Sequence, residues 1–214
     1  MIRIAIDGPA GAGKSTMAKL LAKDLGIDYV DTGAMYRAIA LKLVRTNTDY
    51  NDADALASML AETDVDLDGS RVLLDGEDVS GFIRTPEVSM MASKSSAVLA
   101  IREKLVALQR AIGHKKSVVM DGRDIATNVL TDAEYKFYLT ASAKVRAERR
   151  ALELREKGMD VDLAEIEKDI IQRDYQDMNR EHNPLKKADE AIEIDSSDMT
   201  IEEVVAFMKQ HIGK

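Results

Sequence analysis

The 214-residue chain contains no cysteine, and its acidic residues outnumber its basic ones by 38 to 30, which gives a formal net charge of −8. Without cysteine there are no disulfides, no thiolate zinc ligands and no cysteine nucleophile, which fits a cytoplasmic protein. The negative charge argues against non-specific binding to a nucleic-acid polymer. An acidic protein that handles an anion must therefore concentrate its arginines locally.

Long apolar runs are also missing. No stretch approaches the ~18 apolar residues of a transmembrane helix, and no secretory signal is apparent. The composition, 45% hydrophobic and 32% charged, is that of a globular protein. We therefore expect a cytoplasmic protein that has no membrane partner.

Apolar periodicity predicts alternating strands and helices. Strands are predicted at 2–6, 27–30, 117–120, 135–140 and 190–195, and helices at 14–25, 34–45, 52–62, 87–112, 143–157, 163–181 and 200–212. This alternation is typical of a parallel sheet with helices on both faces. Residues 65–83 differ, because their short alternating runs and two Asp-Gly pairs predict a hairpin in an inserted lobe.

The segment Gly8-x-x-x-x-Gly13-Lys14-Ser15 fits the phosphate-loop pattern and lies between an apolar strand and a periodic helix. Glycines let backbone amides turn toward a phosphate. Lys14 is expected to reach the β- and γ-phosphates of ATP. The predicted ATP-binding residues are Gly8, Pro9, Ala10, Gly11, Ala12, Gly13, Lys14, Ser15 and Thr16.

A metal partner is predicted at the end of another core strand, in SVVMDGRD. Mg²⁺ keeps most of its waters, so the Asp121 carboxylate, the Ser15 hydroxyl and the phosphates suffice as ligands. The alternative is that Asp121 only caps the next segment. We predict Mg²⁺, bound with ATP, as the cofactor.

Positive charge for clamping a transferred phosphoryl group is available from arginines spread along the chain. The candidates are Arg37, Arg102, Arg123, Arg146, Arg149, Arg150, Arg173 and Arg180. Any single one is better explained by a solvated helix face, so the prediction depends on the set. No Asn is followed by Lys, so the guanine-reading motif of switch GTPases is absent.

One stretch resembles a calcium-binding site. Residues 64–75, DVDLDGSRVLLD, nearly match a calcium-binding EF-hand loop, but its twelfth residue is Asp75 instead of Glu, and Arg71 stands where an apolar residue belongs. We expect a β-turn there.

Five stretches, DGPAGAGKST, DTGAMYR, DGEDVSGFIRTPEV, VVMDGRDIAT and QRDYQDMNR, resemble the bacterial cytidylate kinases in their order and spacing over nearly the whole chain. The resemblance implies direct in-line transfer of the γ-phosphoryl group of ATP to CMP, and to dCMP. It implies a three-layer α/β P-loop fold with a parallel sheet core, an inserted nucleotide-binding lobe with a small antiparallel sheet, and a short helical lid. The implied bounds are 1–30, 113–150 and 160–214 for the core, 31–112 for the lobe with its β insert at 63–84, and 151–159 for the tip of a lid spanning 146–162.

The same resemblance implies roles for individual residues. The acceptor phosphate would be held by Arg37 and Arg180, with Thr32 and Tyr36 beside Arg37. The cytosine would be read by Ser93, Arg102 and Asp124, and the ribose reached by Arg173 and Asp177. Arg123 would be a further substrate-binding residue, and the catalytic residues would be Lys14, Arg149, Arg150 and Arg180. The adenine would lie near Ser196 and Ser197, and we expect a monomer.

Two alternatives stay open on the residues alone. One is a kinase for another small acceptor, such as UMP, AMP or a non-nucleotide metabolite. The other is a binding or regulatory protein that uses the phosphate loop as a nucleotide-dependent switch.

Overall fold

The computed structural model describes residues 1–156 and 158–213. Lys157, which ends a predicted helix inside the predicted lid tip, and Lys214 lie outside the described residues. The chain divides into two compact units, the first formed by Met1–Tyr29 with Lys116–Lys214 and the second by Val30–Lys115. The assignment of these parts as core, acceptor lobe and lid stays a prediction.

The first unit is built on a five-stranded sheet in the order β2-β6-β1-β7-β8. The strands are β1 (Arg3–Asp7), β2 (Asp28–Asp31, which crosses the unit boundary), β6 (Val118–Gly122), β7 (Tyr135–Thr140) and β8 (Ile192–Asp195). β1 pairs in parallel with β6 and β7, and β7 pairs in parallel with β8. The central residues Ile4, Ala5 and Ile6 are fully buried, because helices cover both faces of such a sheet. The predicted parallel sheet is confirmed.

The helices of this unit are α1 (Lys14–Leu25), α6 (Ala143–Glu156), α7 (Leu163–Asn179) and α8 (Ile201–His211), with one π-helical turn at Ile125–Val129. α1 ends at Gly26 in the left-handed conformation, as its sequence predicts. α8 begins with a capping box in which Thr200 and Glu203 satisfy each other's backbone amides. Apolar side chains of α1 and α8, including Leu21, Val204 and Met208, pack into one core with the sheet.

The second unit contains α2 (Thr32–Thr46), α3 (Ala53–Ala61), α4 (Pro86–Ser95) and α5 (Leu99–Lys115), with the short strands β3 (Val65–Asp68), β4 (Arg71–Leu74) and β5 (Glu77–Asp78). These strands form a separate antiparallel sheet, which confirms the predicted hairpin and adds a third strand to it. The calcium-like segment, residues 64–75, contains β3, β4 and the turn between them. Asp75 accepts from the Asp64 amide at 2.8 Å and pairs with Lys42.

The single helix predicted over 87–112 is wrong, because the chain forms α4 and α5 with a break between them. Ser96 ends α4, and its hydroxyl donates to the carbonyl oxygen of Ser93 at 3.0 Å. The amide of Val98 then donates to the carbonyl of Ser95 at 3.0 Å, which turns the chain. Serines compete for backbone hydrogen bonds in this way and so interrupt a helix that apolar spacing alone would continue.

Within the described residues, no helix is both long enough and apolar enough to cross a membrane.

Candidate active site

The predicted phosphate loop connects β1 to α1, and its backbone requires glycine. Gly8 has φ +149°, and a Cβ there would lie 1.9 Å from the carbonyl oxygen of Leu139. Gly13 occupies the N-cap position of α1 with φ 89°, a left-handed conformation that other residues adopt only with strain. The loop therefore brings bare backbone to the N-terminus of a helix, where amides and the helix dipole favour an anion.

Lys14, the first residue of α1, is 6% exposed, and its Nζ donates to the carbonyl oxygen of Pro9 at 2.7 Å. Burial, reinforced by the positive charge of Arg123, lowers the pKa of Lys14 to about 7, although nearby carboxylates oppose the shift. Lys14 is thus placed inside the loop and would gain charge when an anion binds beside it.

Ser15 and Asp121, the two residues of the predicted metal site, are in direct contact. The Ser15 hydroxyl donates to Oδ2 of Asp121 at 2.9 Å, and the Tyr29 hydroxyl donates to Oδ1 at 2.8 Å. The Asp121 side chain is therefore held in place at the end of β6. Among the residues that the structure describes, no group of three or more histidines and carboxylates could hold a metal alone. Any metal here would complete its coordination with phosphate and water.

Arg146 on α6 ties the loop to two other elements, a role that the sequence did not single out. Its guanidinium donates to the carbonyl oxygens of Ala10 at 3.0 Å and Ala141 at 2.8 Å, and it pairs with Asp174 of α7 at 2.7 Å. The Arg146 side chain is 6% exposed and that of Asp174 13%. This buried ion pair braces the loop against α7.

Two further ion pairs join the segment after β6 to α7 and the residue that follows it. Arg123 Nε lies 2.8 Å from Oδ2 of Asp177, and Arg180 Nη2 lies 3.0 Å from Oδ1 of Asp124. Burial alone would raise the pKa of Asp177, but the charges of Arg123, Arg173 and Arg180 lower it below its ordinary value. The first unit therefore brings five predicted substrate-binding residues into one charged cluster: Arg123, Asp124, Arg173, Asp177 and Arg180.

Asp7 is a buried acid that the sequence prediction missed. It is 2% exposed, and its two oxygens accept from the amides of Ile125 and Ala126, each at 2.8 Å. Burial raises its pKa to about 7, and the two amide hydrogen bonds only partly oppose this. The available signal was a charged residue at the end of an apolar strand, directly before the loop.

The two predicted lid arginines have different surroundings. Arg149 donates to the hydroxyl of Ser196 at 3.2 Å and to its carbonyl oxygen at 2.7 Å, in the loop after β8 where adenine was predicted to lie. Arg150 is exposed and pairs with Glu153 on the same helix at 3.0 Å. Among the described contacts, those of Arg149 reach Ser196 in the predicted adenine-binding loop, whereas the ion pair of Arg150 stays within α6.

The second unit contains Thr32, Tyr36, Arg37, Ser93 and Arg102. Arg102 is 2% exposed, donates to the carbonyl oxygen of Ser96 at 3.2 Å, and lies 5.8 Å from the ring centre of Tyr36. Arg37 pairs with Asp31 at 3.3 Å, and Arg84 pairs with the same carboxylate at 3.0 Å. Asp31 and Arg84 were not predicted as site residues. Of the predicted residues, Tyr36 and Arg102 are thereby brought together.

The sheet order, the glycine-dependent loop and the lysine at the start of α1 define a P-loop kinase fold. The shikimate kinase of Bacteroides thetaiotaomicron has this fold, with a TM-score of 0.53 at 13% identity, covering 100% of this chain and 99% of that chain. An uncharacterized protein of Eubacterium ventriosum matches with a TM-score of 0.52 at 17% identity, covering 99% and 97%. At these identities the likeness shows the fold alone.

The family is shown by sequence. The family model described as cytidylate kinase matches residues 4–214. The chain is 55% identical to the cytidylate kinase of Caldicellulosiruptor saccharolyticus over 208 residues, covering 95% of this chain and 92% of the relative. It is 51% identical to that of Clostridium acetobutylicum over 213 residues, covering 100% and 98%. The chain belongs to the cytidylate kinase family.

Proposed function

We propose that this protein transfers the γ-phosphoryl group of ATP to CMP, and to dCMP, giving ADP with CDP or dCDP. The observation that carries the proposal is family membership over the whole chain, at about half identity to enzymes named cytidylate kinase. The loop geometry around Gly8, Gly13 and Lys14 supports ATP as the donor.

Recognition of cytosine follows from its hydrogen-bonding pattern. Cytosine presents an amino donor at N4 and acceptors at N3 and O2. The Asp124 carboxylate and the Ser93 hydroxyl would accept from N4, while Arg102 would donate to N3 or O2. Uracil presents a carbonyl at position 4, which would face a carboxylate and leave buried polar groups unpaired. Such a mismatch rejects an analogue strongly.

The remaining acceptor contacts are proposed on the family resemblance. The α-phosphate of CMP would be held by Arg37 and Arg180, with Thr32 and Tyr36 nearby. The ribose would be bound by Arg173 and Asp177, and Arg123 would contribute a further substrate contact. The ion pairs of Arg123 and Arg180 support this, because these guanidiniums are already held by buried carboxylates.

Direct in-line transfer needs no covalent enzyme intermediate, since the acceptor phosphate is itself an anionic nucleophile. This chain's residues would then position the two nucleotides and neutralise charge, with Lys14 at the β- and γ-phosphates and Arg149 and Arg150 at the moving group. Ser15 and Asp121 fit Mg²⁺, because they are oxygen ligands that already lie 2.9 Å apart. Bound there, Mg²⁺ would neutralise charge that develops on the phosphate oxygens.

A coupled assay of ADP release tests the proposal, with CMP, dCMP, UMP, AMP, GMP and shikimate as acceptors. We expect CMP and dCMP to exceed the others in kcat/KM. A preference for UMP, AMP or shikimate would establish a different kinase. ATP hydrolysis that no acceptor stimulates would favour the nucleotide-dependent switch.

We also propose that the enzyme acts as a monomer in the cytoplasm and binds no nucleic-acid polymer. The net charge of −8 supports the absence of nucleic-acid binding, and the lack of cysteine fits a cytoplasmic location. Light scattering after size-exclusion chromatography should give the mass of one chain, 23.6 kDa.

A further inference from the structure

Asp7 joins two functional loops that are distant in sequence. It is the last residue of β1, directly before Gly8, and it pairs with Gly122 of β6 in the sheet. Its two carboxylate oxygens accept hydrogen bonds from the amides of Ile125 and Ala126, 118 and 119 residues further along the chain. One buried side chain thus connects the start of the phosphate loop to the segment that follows β6.

The two amides begin the π-helical turn, and the residue before that turn is Asp124. Asp124 occupies the N-cap position but makes no capping hydrogen bond with its side chain. Its oxygens instead accept from Arg180 and Asn128, each at 3.0 Å. Asp7 supplies the cap from a neighbouring strand, which leaves the Asp124 carboxylate for other partners.

We propose that Asp7 is a positioning residue that fixes Asp124, the base-reading carboxylate, relative to the phosphate loop. The inference rests on the proposed function, because it takes Asp124 as the residue that reads the cytosine amino group. Both amide hydrogen bonds restrain the backbone next to Asp124. Without them the backbone that carries this carboxylate would be less restrained, and a hydrogen bond to the cytosine amino group depends on the position of its acceptor.

Burial works against the ionised form of Asp7, and the negative charge of Asp124 adds to this effect. A neutral side chain of the same shape is therefore expected to fold. In Asp7→Asn the amide nitrogen faces one of the two backbone N–H groups, so one hydrogen bond is lost while the volume is kept. The substitution thus disturbs the position of Asp124 without opening a cavity.

The test compares kcat/KM for CMP and UMP in the full-length wild type, Asp7→Asn, Asp124→Asn and the double variant. We expect Asp7→Asn to lower the CMP-to-UMP ratio by about tenfold or more, as when a side chain that orients a binding carboxylate is lost. The KM for CMP should rise more than the KM for ATP. In the Asp124→Asn background, Asp7→Asn should change the ratio little, because the residue it positions is already altered.

Asp52→Asn is the matched control. Asp52 also accepts two backbone amide hydrogen bonds, at the start of α3, but it is exposed and uses a single oxygen that asparagine can replace. This variant should keep the wild-type ratio.

An equal loss with CMP and UMP, or additive effects of the two substitutions on the ratio, would overturn the inference and leave a purely structural role. If Asp7→Asn does not fold, Asp7→Ser takes its place, since a hydroxyl can still accept. Failure of both to fold would assign Asp7 to stability and overturn the inference too. Wild-type enzyme without a CMP preference would refute the proposed function first, which keeps the two failures distinguishable.

Discussion

The hydroxyl of Ser15 donates to Oδ2 of Asp121 at 2.9 Å, although the two residues are separated by 106 positions in the chain. The contact joins the start of α1 to the end of β6. Tyr29 donates to the other carboxylate oxygen at 2.8 Å, so two hydrogen bonds hold the Asp121 side chain beside the first residues of α1.

Asp121→Asn should weaken the binding of magnesium by the enzyme. The substitution removes a negative charge from a site that would otherwise bind a divalent cation. We expect the Mg²⁺ concentration for half-maximal ADP release, at fixed ATP, to rise by about tenfold or more. Tyr29→Phe, which removes one hydrogen bond but keeps the charge, should shift it less. Equal midpoints in Asp121→Asn and wild type would contradict the metal role of Asp121.

ATP binding should be accompanied by proton uptake at Lys14. With its pKa lowered to about 7 in the free protein, Lys14 is mostly neutral at pH 8. The charges of the bound polyphosphate raise this pKa again, so about one proton should be taken up per ATP at that pH. Calorimetry in Tris and in Hepes measures the uptake as the difference in binding enthalpy.

The lowered pKa of Lys14 should also make the folding stability of the free protein depend on pH. A lysine whose pKa is lowered by folding contributes stability that is fully present above the pKa of the unfolded chain, 10.5. This contribution is lost as the pH falls through the folded-state pKa of about 7.

Lys14→Arg is the control for the calorimetric experiment. Its side chain stays charged throughout and should abolish the proton uptake that accompanies ATP binding. Identical binding enthalpies of the wild type in the two buffers would contradict the prediction.

The Arg146–Asp174 pair should matter strongly for stability. Asp174→Ala leaves the Arg146 charge, which is 6% exposed, without its carboxylate. We expect a loss of about 3–5 kcal/mol in the free energy of unfolding, measured with urea. Asp24→Ala breaks an exposed pair with Lys209 and should cost about 1 kcal/mol or less. Similar losses in both variants would show that burial of the Arg146 pair has no special effect.

Gly8→Ala should disrupt the phosphate loop. The added methyl group would meet the carbonyl oxygen of Leu139, part of the rigid β7 backbone. We expect at least about 4 kcal/mol of destabilisation or no folded protein. Gly69→Ala, in the β3–β4 turn with φ +60° and open space around it, should cost about 1 kcal/mol. Equal urea unfolding midpoints for Gly8→Ala and Gly69→Ala would argue against the steric requirement at Gly8.

Asp124→Ala should narrow the preference for CMP over UMP. Removing the carboxylate removes both an acceptor for the cytosine amino group and a repulsive partner for the uracil carbonyl. We expect the ratio of kcat/KM values to fall by about tenfold or more. Asp132→Ala, which removes an exposed carboxylate paired with Arg3, should leave the ratio unchanged. A constant ratio in Asp124→Ala would rule out the proposed role.

Much of the secondary structure was predictable because its signals are local. The strand Tyr135–Thr140 and the helix Lys14–Leu25 have the predicted bounds, since apolar periodicity and Gly26 mark them directly. The break between α4 and α5 was missed, because it depends on serine hydrogen bonds that compete with a continuing apolar pattern. The π-helical turn was missed because its first two amides donate hydrogen bonds to Asp7 of β1, which is distant in sequence.

The sequence by itself determined the phosphate loop, the alternating α/β pattern and the family. Each depends on residue types at fixed short spacing, or on several such motifs in order. Only the tertiary structure decided which charges meet. Arg146 with Asp174, Arg180 with Asp124, and Asp7 with the amides after Asp124 are all such contacts. Their energies come from burial and from distances of about 3 Å, and neither is encoded in local spacing.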